Sequence, residues 1–168
     1  MKSLAVVRHA KSSWGDLSLD DHDRPLNGRG RRVAPQMGEL VAARLGKPDV
    51  ILSSTALRAR TTASLFAEQL AYPDAEIVEE GQIYLASLSR LLQVLRQIDE
   101  SHGSAMIFGH VPGVQDLSNA LCRDADIGHF PTCAVSVIEL EIDYWGEIDV
   151  ETGRLRDFLV PKELFGDA

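Results

Sequence analysis

Cysteine is scarce in this chain: only Cys122 and Cys133 occur, eleven positions apart and with no CxxC or Cys/His ligand spacing. That excludes a disulfide framework and a structural zinc site, both of which need paired or clustered ligands. Reduced, partly buried thiols are the expectation. Long apolar runs are absent too. The opening stretch Leu4-Ala5-Val6-Val7 is far too short for a signal peptide, and nothing approaches the ~20 apolar residues of a membrane span, so the expected location is cytoplasmic. Positive charge is in deficit: 17 Lys and Arg stand against 25 Asp and Glu, a net charge of -8 with a pI near 5.0. Such a balance excludes broad binding to nucleic acid or anionic membrane, because both require a basic surface. Internal repeats and low-complexity tracts are missing as well.

What is present is the composition of an ordinary globular protein, 45% hydrophobic and 25% charged. Its 168 residues fit one domain spanning 1–168, since single cores are usually built from ~100–200 residues. Apolar runs alternate with helical patterns, which predicts an α/β three-layer sandwich whose mostly parallel central sheet is flanked by helices.

Residues 3–7 read as a first strand buried on both faces. Residues 15–25 are polar and aperiodic, hence a loop. Asn27 caps a helix whose Val33, Met37, Leu40, Val41 and Leu45 form one stripe, closed by Gly46 and Pro48. Residues 49–52 read as the second strand. A turn at Ser53, Ser54 and Thr55 leads into a helix over 56–70 with Leu57, Thr61, Leu65 and Phe66 inward. Residues 76–78 fit a brief strand, and Ser87 caps a helix reaching Ile98. Residues 105–108 form another buried strand, and residues 109–113 a tight turn into a helix ending near Leu121. Residues 134–142 and 147–160 read as the last strands, with a turn at Thr152-Gly153.

Three polar clusters each follow the carboxyl end of a predicted strand: Arg8-His9, Ser53 to Arg58, and Gly109-His110. In open α/β sheets that edge is where ligand clefts form. Histidines and arginines gathered there point to phosphate chemistry, because a guanidinium fork matches two phosphoryl oxygens. A neutral, oriented imidazole can accept a phosphoryl group and release it to water. His9 is the candidate nucleophile, its tautomer to be set by a hydrogen bond from its other ring nitrogen to a backbone carbonyl. Arg8, Arg58 and His110, the last in its protonated form, are candidates for stabilising the equatorial oxygens, and Arg24 sits on a loop able to cover the same pocket.

Val7-Arg8-His9-Ala10, the stretch Ser54 to Arg58 with Thr61-Thr62, and Gly109-His110-Val111-Pro112-Gly113 together resemble the histidine phosphatase superfamily, whose fold is phosphoglycerate mutase-like. Asp23-Arg24-Pro25-Leu26 and Phe130-Pro131-Thr132-Cys133-Ala134 narrow the resemblance to the SixA-type phosphohistidine phosphatases, over nearly the whole chain from Leu4 to about Leu140. The resemblance implies His9 as the phosphorylated nucleophile, Arg8, Arg58 and His110 as its phosphate pocket, and Arg24 as a further pocket arginine. It implies as substrate a phosphorylated protein carrying phosphohistidine, or a small phosphorylated molecule. Two departures stand out. Ala10 replaces the usual Gly after the Arg-His pair, and the chain has no room for the insertion that carries a glutamate general acid in larger members. Glu79 and Glu80 lie in the right region without being distinguished by spacing, and Gln82 is a poor proton donor. Leaving groups that depart without a dedicated acid, such as that of phosphohistidine, are thereby favoured.

Competing readings remain. Arg24 as a surface partner of Asp20, Asp21 or Asp23 is one. Lys11, Ser12, Arg29, Arg31, Arg32 and Arg60 read mostly as solvated residues at the cleft rim, and His22, His102 and His129 receive no role. A three-histidine metal site is disfavoured by the surrounding arginines, so neither metal nor cofactor is expected. The alternatives in function are a small-molecule phosphatase, a phosphoglycerate-mutase-like transferase, and a non-catalytic phosphate-binding module.

Overall fold

The computed structural model describes residues 1–166. Six strands form one sheet in the order β3-β2-β4-β1-β5-β6: β1 (Lys2–Arg8), β2 (Val50–Ser53), β3 (Val78–Glu79), β4 (Ser104–Gly109), β5 (Val135–Leu140) and β6 (Gly153–Leu159). The first four are mutually parallel, and β5 and β6 are added antiparallel at one side. The helices are α1 (Gly28–Leu45), α2 (Leu57–Gln69), α3 (Leu88–Arg96), α4 (Gly113–Leu121) and the short α5 (Pro161–Phe165). The expected α/β architecture is therefore observed.

Alternation along β1 sends Leu4 and Val6 to one face and Ala5 and Val7 to the other. Each face supports its own core. Leu4 and Val6 join Leu91 and Leu95 of α3, Leu117 and Leu121 of α4, and Trp145. Ala5 and Val7 join Met37 and Val41 of α1 and Phe66 of α2. Full burial of such side chains contributes roughly 1.5–3 kcal/mol each before chain entropy is counted.

Local reasons for the helices match the sequence signals at several points. The Asn27 side chain accepts from the Gly30 amide at the start of α1, and Ser87 accepts from the Arg90 amide at the start of α3. Other expectations are corrected. Leu57 is 44% exposed, and the buried face of α2 runs instead through Arg58, Ala59, Thr62, Ala63, Phe66 and Ala67. Small alanines win there because α1 approaches closely: a Cβ on Gly38 would lie 3.0 Å from the Phe66 Cα. Leu45, expected inward on α1, is 43% exposed at the helix end. The polar 15–25 loop contains a 3-10 turn, Asp21–Asp23, and ends in a buried Arg24. Only Gly153–Leu159 of the segment 147–160 is strand. The chain before it turns inward to bury Trp145 and Ile148, whose apolar area outweighs ladder pairing there. Both cysteines are buried and free; burial pushes the Cys122 thiol up to about 12 and the Cys133 thiol up as well.

No described helix is long and apolar enough to cross a membrane.

Candidate active site

Parallel pairing places the site. In the β1–β4 register Arg8 faces Gly109, and the ladder continues one step past the strands as the His9 amide bonds to the Gly109 carbonyl at 3.1 Å. His9 and His110 therefore leave adjacent strands at the same height, and their rings stand 5.3 Å apart between centroids. On the other side of β4, the Ser54 amide bonds to the Phe108 carbonyl at 3.0 Å, which sets the start of α2 and with it Arg58. The three polar clusters seen in the sequence converge on one cleft of about 230 Å³, lined among others by Arg8, His9, Arg24, Arg58 and His110.

The His9 ring is oriented by its neighbour's backbone. Nδ1 lies 2.7 Å from the Ala10 carbonyl oxygen, and a carbonyl only accepts, so Nδ1 carries the proton and Nε2 keeps the lone pair. The Ala10 carbonyl is itself held in place. The Ala10 amide donates to the Thr62 hydroxyl at 3.0 Å, and that hydroxyl donates to the Arg58 carbonyl at 2.7 Å, one turn back on α2. Alanine at position 10, fully buried, thus retains the backbone contact that orients the histidine.

Burial first, then the Arg58, Arg8 and Arg24 guanidiniums, hold His9 down at about 4 against the raising effect of the Ala10 carbonyl. The ring is neutral at pH 7. Burial, His9 and Arg58 hold His110 lower still, at about 3. In the free protein the His110 ring is therefore neutral, whereas the sequence reading expected the protonated form around a phosphoryl group. The Ser54 hydroxyl lies 2.8 Å from His110 Nε2 while accepting from the Ala56 amide at 3.2 Å. The Ser54 hydroxyl proton has no other acceptor among the described residues, so it is donated to Nε2, which leaves the proton of neutral His110 on Nδ1.

The arginines are tied down around these rings. Arg8 Nη1 donates to the Phe130 carbonyl at 2.8 Å. Arg58, 3% exposed, donates from Nη1 to the Asp21 carbonyl at 2.7 Å and from Nη2 to the Asp21 carboxylate at 3.0 Å. Arg24 donates from Nε to the same carboxylate at 3.2 Å and from Nη1 to the Ser12 hydroxyl at 2.8 Å, while the Trp14 ring stacks on its guanidinium at 3.5 Å. Arg24 pairs with Asp21 but is buried and lines the cleft, so it is not the surface arginine of the competing reading. Asp21 also accepts from the Tyr84 hydroxyl at 2.6 Å, and this bond, followed by those of Arg58 and Arg24, holds its carboxyl down at about 2. Arg8 Nε, Arg58 Nε and His110 Nδ1 are buried without a hydrogen-bond partner among the described residues. Buried donors left unpaired are costly, and three of them around one cleft mark the place where an anion would satisfy them.

Sequence reasoning missed the central place of Asp21, the Ser54 bond to His110, the Thr62 tether and the contribution of Tyr84. Asp21 left a signal in its i,i+3 spacing to Arg24, and Ser54 and Thr62 stood within the quoted motifs without a role of their own. Of the acid candidates, Glu79 pairs with Arg60 at 3.8 Å, and Glu80 accepts from the Gln82 amide at 3.0 Å. Neither lines the cleft, and no other Asp or Glu among the described residues does. Lys11 and Ser12 do line it, while Arg60 is engaged by Asp74. His22 bonds to the Thr55 hydroxyl at 2.8 Å and packs edge-on against Tyr84.

Residues 4–81 match the model of the histidine phosphatase superfamily, branch 1. An uncharacterized protein of Mycobacterium tuberculosis is 30% identical over 167 residues, covering 93% of this chain and all of that protein. Among solved structures, one named as the putative phosphohistidine phosphatase SixA from Agrobacterium tumefaciens superimposes with a TM-score of 0.79 at 30% identity, over 95% of this chain and 98% of that one. The protein histidine phosphatase SixA in complex with tungstate shares the fold, with a TM-score of 0.82 at 21% identity over 96% and 99% of the two chains. With the motif order, the sheet topology and the paired histidines in agreement, the chain belongs to the histidine phosphatase superfamily.

Proposed function

We propose that the chain, acting as one domain, is a metal-independent phosphatase that removes the phosphoryl group from protein phosphohistidine through a covalent intermediate on His9. The observation that carries this reading is the fixed tautomer of His9: its proton is committed to the Ala10 carbonyl, and its other nitrogen is neutral in a cleft ringed by guanidiniums.

In the first step the Nε2 lone pair of His9 forms a bond to phosphorus while the bond to the leaving nitrogen breaks, that nitrogen keeping the electron pair and taking a proton from solvent. In the second step a water oxygen attacks the same phosphorus, the N–P bond returns its pair to His9, and the water proton passes to phosphate or solvent. Phosphoryl transfer depends mostly on positioning and charge stabilisation. Arg8, Arg24 and Arg58 supply the charge, and His110 contributes a ring N–H donor.

Among the described residues no carboxyl lines the cleft to protonate an alkoxide, which supports phosphohistidine over sugar phosphates. Two free, buried thiols fit a reducing compartment, so the proposed location is the cytoplasm. The purified protein with a chelator present is expected to dephosphorylate phosphohistidine peptides in preference to sugar phosphates and nucleotides. His9→Ala is expected to abolish turnover and the phosphoenzyme trapped by acid quench. A fully active His9→Ala variant overturns the reading.

A further inference from the structure

Beside the cleft lies a second depression of about 390 Å³, and Lys11 and Thr132 line both. Arg29, His129 and Lys162 line it as well, and among the described residues Glu163 is the only acid that does. In a chain of net charge -8 this is a local inversion of sign. Neither the Lys11 ammonium nor the Arg29 guanidinium has an ion pair or hydrogen bond among the described residues. That is unlike Arg44, Arg60, Arg96, Arg123, Arg154 and Arg156, each of which meets a carboxylate.

The arrangement is held by backbone. The Asn27 amide donates to the Lys11 carbonyl at 2.9 Å, and Gly30 packs so tightly on Lys11 that a Cβ there would meet Lys11 backbone atoms. The start of α1 is thereby locked to the strand-end loop that carries His9. Three arginines, Arg29, Arg31 and Arg32, occupy that start with no acidic residue in the first turn. Cations oppose the macrodipole there, so the local charge favours an incoming anion over helix stability. The phosphoryl cleft itself is also lined by Trp14 and Leu85, 68% and 62% exposed, apolar surface suited to a polypeptide.

We propose that the second depression recognises carboxylates: it takes Asp or Glu side chains that flank the phosphorylated residue of a protein substrate. The inference rests on the reading of the neighbouring cleft as the phosphoryl site. Recognition of this kind acts by charge at a partly exposed rim, so its effect is modest and salt-sensitive.

The test is calorimetric titration of the His9→Ala protein, which cannot consume the probe, with stable phosphoserine peptides flanked by Glu, Gln or Lys, and with inorganic phosphate. The Glu peptide is expected to bind about fivefold tighter than the Gln peptide, a preference that fades as salt is raised and is lost on adding Arg29→Glu or the milder pair Lys11→Gln and Arg29→Gln. Arg29→Glu removes a cation from a helix start, so folding is expected to persist, to be checked by thermal melting. Equal or weaker binding of the Glu peptide, or a preference that survives these substitutions, overturns the subsite while leaving the phosphoryl site standing. Failure of every phosphopeptide and of phosphate to bind overturns the phosphoryl site, and the subsite with it.

Discussion

Gly30→Ala separates helix propensity from tertiary packing. On propensity alone the change stabilises α1 by roughly 0.5–1 kcal/mol, because glycine carries the larger entropy cost in a helix. The structure predicts the opposite. The new Cβ would lie 3.1 Å from the Lys11 nitrogen and 3.2 Å from its carbonyl carbon, and closer still to the Lys11 carbonyl oxygen. Backbone cannot rotate aside as a long side chain can, so α1 and the loop must separate by on the order of 1 Å, a strain of about 1–3 kcal/mol that exceeds the propensity gain. Lys11 is two residues from His9, and its carbonyl also accepts from the Asn27 amide, so the separation strains the loop that carries the nucleophile. Misplacement of a reacting group by ~1 Å can lower turnover ~10²-fold. The expected outcome is a lower midpoint in denaturant unfolding together with a ~10²-fold fall in kcat/KM on a phosphohistidine peptide. A variant as stable and as active as the parent refutes the reasoning, since the backbone contact would then be relieved without displacing His9.

Other substitutions probe the site's internal bonds. Ser54→Ala removes the donor to His110 Nε2; it is expected to cost about 1–3 kcal/mol for the orphaned buried nitrogen and to lower kcat more than it raises KM, because the Nδ1–H tautomer is no longer enforced. Asp21→Asn leaves the buried Arg58 with a weaker partner, so the melting temperature is expected to drop, and added phosphate or tungstate should restore more of it than in the parent. His9 and His110 titrate at about 4 and 3, below the ordinary 6.5, chiefly through burial; the folded state prefers neutral rings, so the stability they permit is complete above about pH 6.5 and is lost as pH falls toward 4 and 3. Proton NMR of the two rings checks this, and a His9 midpoint near 6.5 in the free protein contradicts the site's electrostatics.

Much of the architecture was legible because each signal was local. Asn27 and Ser87 cap helices by bonds to amides three residues on, and the run from Leu4 to Val7 is apolar because both sides of β1 are covered. The site motifs were legible for a related reason: Arg8-His9, Ser54 to Arg58 and Gly109-His110 each end a strand, and parallel strands end at one edge. Misjudged positions were those decided by distant partners. Leu57 yields the buried face of α2 to alanines because of the approach of α1, and Ile148, placed in a strand by the sequence reading, instead joins Trp145 in the core shared with β4 and β1.

The chain's own chemistry determined that histidines and arginines would gather at a sheet edge and that the protein would be acidic around them. Tertiary structure alone decided which nitrogen of each ring is free, because the deciding atoms, the Ala10 carbonyl set by Thr62 and the Ser54 hydroxyl, are oriented by bonds spanning 52 and 56 residues. Tertiary structure also decided that His110 is neutral, since residue type sets only the ordinary pKa, whereas desolvation depends on what packs around the ring.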